Sequence, residues 1–169
     1  MSVVSLDLAK AMLQVAGTDE DTLIQALLDG VESWVEGQWG VLLSQQEVEE
    51  HLFGGERCLW PTKVPVVSVS SVETEDGSSI SSTSYAVRGN AIVHDDEWEP
   101  IWYVVAYTAG YSEIPASLES CILSLVRRAY DARGGAASER AGGHAVEWRA
   151  LADTDEMAVL QSLAGGPPC

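Results

Sequence analysis

Positive charge is what this sequence has least of. Nine lysines and arginines stand against 26 acids, a formal net charge of -17 over 169 residues. Sequence-independent binding to nucleic acid depends on basic side chains that displace counterions from phosphates, so this chain is not expected to grip DNA or RNA. Cysteine is scarce too: Cys58, Cys121 and Cys169 show no CxxC spacing, which indicates neither a zinc site nor a disulfide framework and fits a reducing compartment. No apolar run is long enough to span a bilayer, and the opening stretch carries Asp7 and Lys10 with no basic leader. Neither a membrane partner nor a signal peptide is expected.

The ingredients of catalysis are equally thin. His51, His94 and His144 share no HxxxH, HExxH or His-Cys spacing. The run His94, Asp95, Asp96, Glu97 and Glu99 is the best candidate for a metal or acid–base site, because adjacent carboxylates can share a divalent ion. It lacks the alternating ligands, glycine and distal glutamate of an EF-hand, so it reads as a solvated turn between strands. Serine runs around Ser68–Ser71 and Ser78–Ser82 lack the glycine-flanked elbow of a nucleophile, and the glycine pairs lack the lysine of a phosphate loop. The sequence therefore offers no catalytic residue, no cofactor site and no metal site.

What is present is a foldable core. Hydrophobic residues make up 46% of a chain that has the length of one ordinary domain, which argues against global disorder. Acid is unevenly spread: net charge is -9 over residues 1–60, -6 over 61–115 and -2 over 116–169, where five of the arginines lie.

A first helix is expected over Leu6–Ala16, capped by Ser5 and ended by Gly17. A second begins at Thr18, with Asp19, Glu20 and Asp21 loading its positive end and Gly37 and Gly40 closing it. Its apolar stripe is Ile24, Leu27, Leu28, Val31, Trp34 and Val35, leaving Asp29, Glu32 and Glu36 for the solvent face. Short extended segments follow from Leu42. Gln46–Phe53 is made polar by Glu47, Glu49 and Glu50, whereas Val67, Val69 and Val72 nearly alternate with serines. Asp76-Gly77 signals a turn, and Gly89-Asn90 a hairpin joining Tyr85–Arg88 to Ala91–His94. Trp102–Thr108 is the strongest strand, its tryptophan assigned, like Trp34, to core packing.

Pro115 suits the first position of a third helix reaching Arg133, with Leu118, Ile122, Leu125, Val126 and Ala129 as its buried stripe. The glycine-rich residues 134–143 read as a flexible linker to a short helix over Asp153–Leu163. The expected fold is α+β: a small helical bundle of two N-terminal helices and one long later helix, with an inserted antiparallel β region at 42–110. Residues 1–133 form the core domain and 134–169 a C-terminal arm. On that arm Trp148, Arg149, Leu151, Met157 and Leu160 are candidates for docking on a neighbour.

Several segments, in order, resemble the adaptor family of tailed-bacteriophage head-to-tail connector proteins. Asp19-Glu20-Asp21-Thr22-Leu23-Ile24 with Val31–Glu36 is similar to that family's second helix, and Leu59-Trp60-Pro61 with Pro65–Val72 to its proline-bounded strand. The run Val105-Ala106-Tyr107-Thr108-Ala109-Gly110-Tyr111, then Pro115, Leu118, Ile122, Leu125-Val126, Tyr130 and Arg133, matches its junction of strand and last helix. The resemblance covers residues 5–133 and encodes fold rather than chemistry. It implies a non-enzymatic virion subunit, made in the bacterial cytoplasm. Such a subunit forms a homo-oligomeric, dodecameric ring beneath the portal protein, meets a stopper or tail-completion protein below, and lets genomic DNA pass in packaging and ejection.

Asp29, Glu32 and Glu36 are then candidates to line the channel, where like charge keeps a polyanion from sticking. A head-completion stopper or tail-completion role is the nearest alternative. An acidic DNA-mimic inhibitor is the alternative of a different class.

Overall fold

The structure, a computed structural model, describes residues 3–132 and 154–164. These fall into two compact units, a helical one within Met1–Trp39 and Ile114–Gln161 and a β unit within Gly40–Glu113 and Ser162–Cys169.

Three helices frame the helical unit: α1 (Leu6–Leu13), α2 (Asp21–Trp39) and α3 (Ala116–Ala132). Ser5 caps α1 as expected, its hydroxyl accepting from the Leu8 amide at 3.2 Å. The helix stops earlier than Gly17 would dictate. Gln14 takes the left-handed conformation at φ 58°, and the Val15 amide reaches back to the Lys10 carbonyl at 3.0 Å, the C-terminal closure usually left to glycine. Lys10 then donates to the Gly17 carbonyl and pairs with Asp21, both at 2.5 Å, tying the end of α1 to the start of α2.

The periodic stripes fall where the sequence places them. Ile24, Leu28, Val31 and Val35 of α2 are buried, as are Leu118, Ile122, Leu125, Val126 and Ala129 of α3. The two helices pack together, and α1 lies against both. Pro115 serves as the residue before the helix rather than its first, its carbonyl accepting from Leu118 and Glu119. A further helix, α4 (Thr154–Ala164), contributes a fully buried Leu160.

The β unit holds two antiparallel three-stranded sheets. Strand β6 (Trp102–Ala109) is central in the first, between β1 (Gln46–Phe53) and β3 (Val66–Thr74). The second orders β2 (Cys58–Leu59), β5 (Ala91–His94) and β4 (Tyr85–Arg88), with β4 and β5 forming the expected hairpin. Side chains from both sheets share one core: Leu52, Val72, Tyr103, Val105 and Tyr107 from the first, Leu59 and Ile92 from the second, and Trp98 from the loop between. Period-2 alternation in β6 sends Tyr103, Val105, Tyr107 and Ala109 inward. In β3 the alternation is broken by register shifts between Val66 and Ser68 and between Val69 and Ser71, so Val66 and Val72 are buried while Val67 is exposed. Gly110 ends β6 at φ 107°, and a Cβ there would lie 2.1 Å from the Ser44 carbonyl oxygen. Only glycine fits that crossing.

Candidate assembly surfaces

Glu32 was expected on the solvent face of α2, and the structure corrects this. Its side chain is buried, and its carboxylate accepts from the amides of Val3 (3.0 and 3.1 Å) and Val4 (3.0 Å), chain segments 28 and 29 residues away. Burial pushes the carboxyl above its usual range, and the two amides pull against it. Glu32 is therefore a clamp on the N-terminal segment. Asp29 is exposed and accepts from the Gln25 amide at 2.9 Å; Glu36 is half-buried.

Of the arm's docking candidates, Trp148, Arg149 and Leu151 lie outside the described residues. Met157 is half-buried and Leu160 is fully buried, so Leu160 is already covered by its own chain and is not an open anchor. Beside it Glu156 is buried and pairs with Arg128 of α3 at 2.8 Å, and the Cys121 thiol lies 4.0 Å from the Glu156 carbonyl. Thus α4 is docked through contacts that include the buried Leu160 and the Arg128–Glu156 pair. Tyr130 of α3 donates to Glu20, a second link between distant parts of the helical unit.

The acidic run after β5 is fixed by main-chain contacts. Arg57 donates to the carbonyls of His94 (3.2 Å) and Asp95 (3.1 Å), and the Asp96 amide donates to His94 Nδ1 at 3.2 Å. The imidazole sits against Trp98, ring centroids 4.8 Å apart, and the Trp98 indole N–H donates to the Ile92 carbonyl at 3.2 Å. Among the described residues no three or more His, Cys, Asp or Glu side chains gather so as to hold a metal. Cys121 is buried, and Cys58 is disulfide-bonded, a pairing that the spacing of the cysteines did not indicate.

Two further polar anchors hold the β unit's loops. Thr62 donates from its amide to Glu50 at 2.9 Å and from its hydroxyl to the same carboxylate, while buried Tyr107 accepts from the Lys63 amide at 3.3 Å. Burial first, and Glu50 second, push the Tyr107 phenol far above its ordinary range. At the Asp76-Gly77 turn, the Thr74 hydroxyl and the Ser78 amide both donate to Asp76, holding its carboxyl below the usual value.

The most conspicuous surface is aromatic, and sequence reasoning placed it in the core. Trp102 is 47% exposed and Phe53, its partner across the β1–β6 ladder, 54% exposed. Their rings stack edge to face with centroids 5.3 Å apart. Period 2 carried through to the first residue of β6 would have found Trp102 pointing outward. Among the described residues the buried tryptophan is Trp98, which sits in no periodic segment.

The β unit interrupts the helical unit in sequence, and the described residues include an exposed aromatic pair and a docked helix near the C-terminal end. The chain belongs to the head completion protein family, which matches it over residues 2–155. Solved structures are similar at the level of fold. A chain in the neck of an empty gene transfer agent particle computed with C6 symmetry has a TM-score of 0.65 and 14% identity, covering 99% of this chain and 92% of that one. A chain in the virion of the native gene transfer agent particle gives 0.63 and 15%, with the same coverage. One in the neck of the native particle computed with C12 symmetry gives 0.53 and 15%, covering 89% and 90%. No curated protein matches the chain.

Proposed function

We propose that this protein is a structural subunit of the virion neck, forming an adaptor ring that joins the DNA-filled head to the tail and through which DNA passes. The observation that carries this reading is its membership of the head completion family across nearly the whole chain. The fold shared with chains from symmetric neck assemblies supports it. Portal protein above, and a stopper or tail-completion protein below, are its partners. Residues 134–169, with Trp148, Arg149, Leu151 and Met157, supply a docking arm.

The net charge of -17 suits a lumen that must not hold DNA. With Glu32 occupied in the clamp, Asp29 and Glu36 are the channel candidates left on α2. The test is electron microscopy of the purified chain with its portal protein, paired with virions assembled without it. The expected result is a ring stacked on the portal, and filled heads that fail to join tails when the chain is missing. A chain that neither binds the portal nor affects head–tail joining would overturn the reading.

A further inference from the structure

With Tyr103, Val105 and Tyr107 turned inward, period 2 puts the alternate residues of β6 on the outer face of the first sheet, beginning with Trp102. The ladder sets Phe53 opposite Trp102, Glu49 opposite Ala106, Glu47 opposite Thr108 and, from β3, Glu73 opposite Val104. One end of this face is therefore aromatic, and the rest carries three carboxylates, Glu47 and Glu49 exposed and Glu73 half-buried. The aromatic end is held in place. Its two rings stack at 5.3 Å, and a Cβ on Gly55 would lie 3.9 Å from the Phe53 ring and 3.6 Å from Pro100. Glu56 lines the same shallow cleft as Phe53 and Trp60.

None of β1, β3 and β6 contains a lysine or arginine. The cation nearest Phe53 in sequence is Arg57, which donates to the His94 and Asp95 carbonyls at the second sheet's hairpin. Exposed aromatics stacked together mark a contact surface, and the carboxylates around them decide what it takes. Nucleic acid and an anionic membrane are repelled. So is a second copy of this chain, with a net charge of -17 of its own. Its C-terminal arginines come accompanied by acids: Arg127 pairs with Asp131 and Arg128 with Glu156, while Arg140 and Arg149 stand near Glu139 and Glu147 in sequence. A purely apolar partner would strip water from the carboxylates and return nothing.

We infer that the outer face of the β1–β6–β3 sheet is a docking surface for a basic segment of a different protein, one in which arginine or lysine side chains are interspersed with apolar ones. Arginine suits both halves of the face. Its flat guanidinium stacks on an aromatic ring and pairs with a carboxylate, and its methylene stem covers apolar surface. Trp102 and Glu73 are one strand apart and about 7 Å apart along the strand direction, so one segment lying across the sheet can meet both. The inference concerns a face of the single chain and stands without the ring reading.

The test titrates the full chain against fluorescent synthetic peptides of equal length, in which leucine alternates with arginine, glutamine or glutamate, and reads anisotropy. The arginine peptide should bind about ten-fold or more tightly than either of the others. Trp102→Ser leaves the net charge untouched and should weaken that binding about ten-fold or more, as should Glu49→Gln combined with Glu73→Gln. Asp7→Asn combined with Asp19→Asn removes the same charge from the helical unit and should change affinity less than about two-fold. Equal losses in the two double variants, or full affinity in Trp102→Ser, would show attraction by bulk charge alone and overturn the inference. Tight binding of the glutamine or glutamate peptide would overturn it as well. Should Trp102→Ser lose the far-UV circular dichroism of the wild type, the two double variants decide. Ring formation on the portal succeeds or fails independently of these outcomes.

Discussion

The helical and β units of this protein are held together by different physics. In the helical unit remote segments are tied by polar contacts: Glu32 to the Val3 and Val4 amides, Lys10 to Asp21, Tyr130 to Glu20 and Arg128 to Glu156. In the β unit two sheets close over a continuous apolar and aromatic core, and charge is left mostly to edges and turns. The lesson is that the first unit adds, to the apolar stripes of α2 and α3, a few directional contacts that can be removed one at a time. The second is specified by volume, and its outer aromatics are free for another task.

The contrast breaks most readily at Trp98. Trp98→Ala should cost about 3–5 kcal/mol, from the cavity and the lost indole hydrogen bond, read by urea unfolding with circular dichroism. A cost below about 1 kcal/mol would mean the β core does not depend on it.

Glu32→Ala should cost about 1–3 kcal/mol by leaving the buried Val4 amide and the part-buried Val3 amide without their acceptor. The pH dependence has a definite sign. Because the folded carboxyl titrates above its unfolded value of 4.5, the native state binds the extra proton. Its contribution is fully present below 4.5 and is lost as pH rises through the raised folded value. Subtracting the urea-unfolding profile of Glu32→Gln from that of wild type across pH 4–8 should leave a difference that falls with pH; a flat difference would show the carboxyl is not raised.

Arg128→Ala should cost no more than about 1 kcal/mol, since the arginine is partly exposed and water screens the pair. Its clearer signature is faster proteolytic cleavage near α4, and cleavage at the wild-type rate would mean the helix stays docked without the ion pair. Smallest of all, Trp102→Ser should change monomer stability by about 0.5 kcal/mol or less. A larger loss would place the ring inside the core and end the division between the units.

How much of this was legible depended on whether the signal was periodic. The stripes of α2 and α3, the Gly89-Asn90 hairpin and β6 all repeat at 3.6 or 2 residues, and all appear. Strand β1 was obscured because, as an edge strand, it needs only Leu52 fully inside and Val48 partly so, while Glu47 and Glu49 face water. Glu32 was misplaced because its partners are main-chain amides at the far end of the chain, which no helical wheel displays. Trp98 lies in a loop, where burial follows from tertiary packing alone.

The acids of β1 carry one last consequence. An eight-residue strand at the border of its sheet offers a row of main-chain donors and acceptors to any strand that passes, a hazard for any protein at high concentration. With Glu47 and Glu49 standing along that border, two such strands brought together would set carboxylate against carboxylate. Copies are thereby discouraged from zipping edge to edge into fibres.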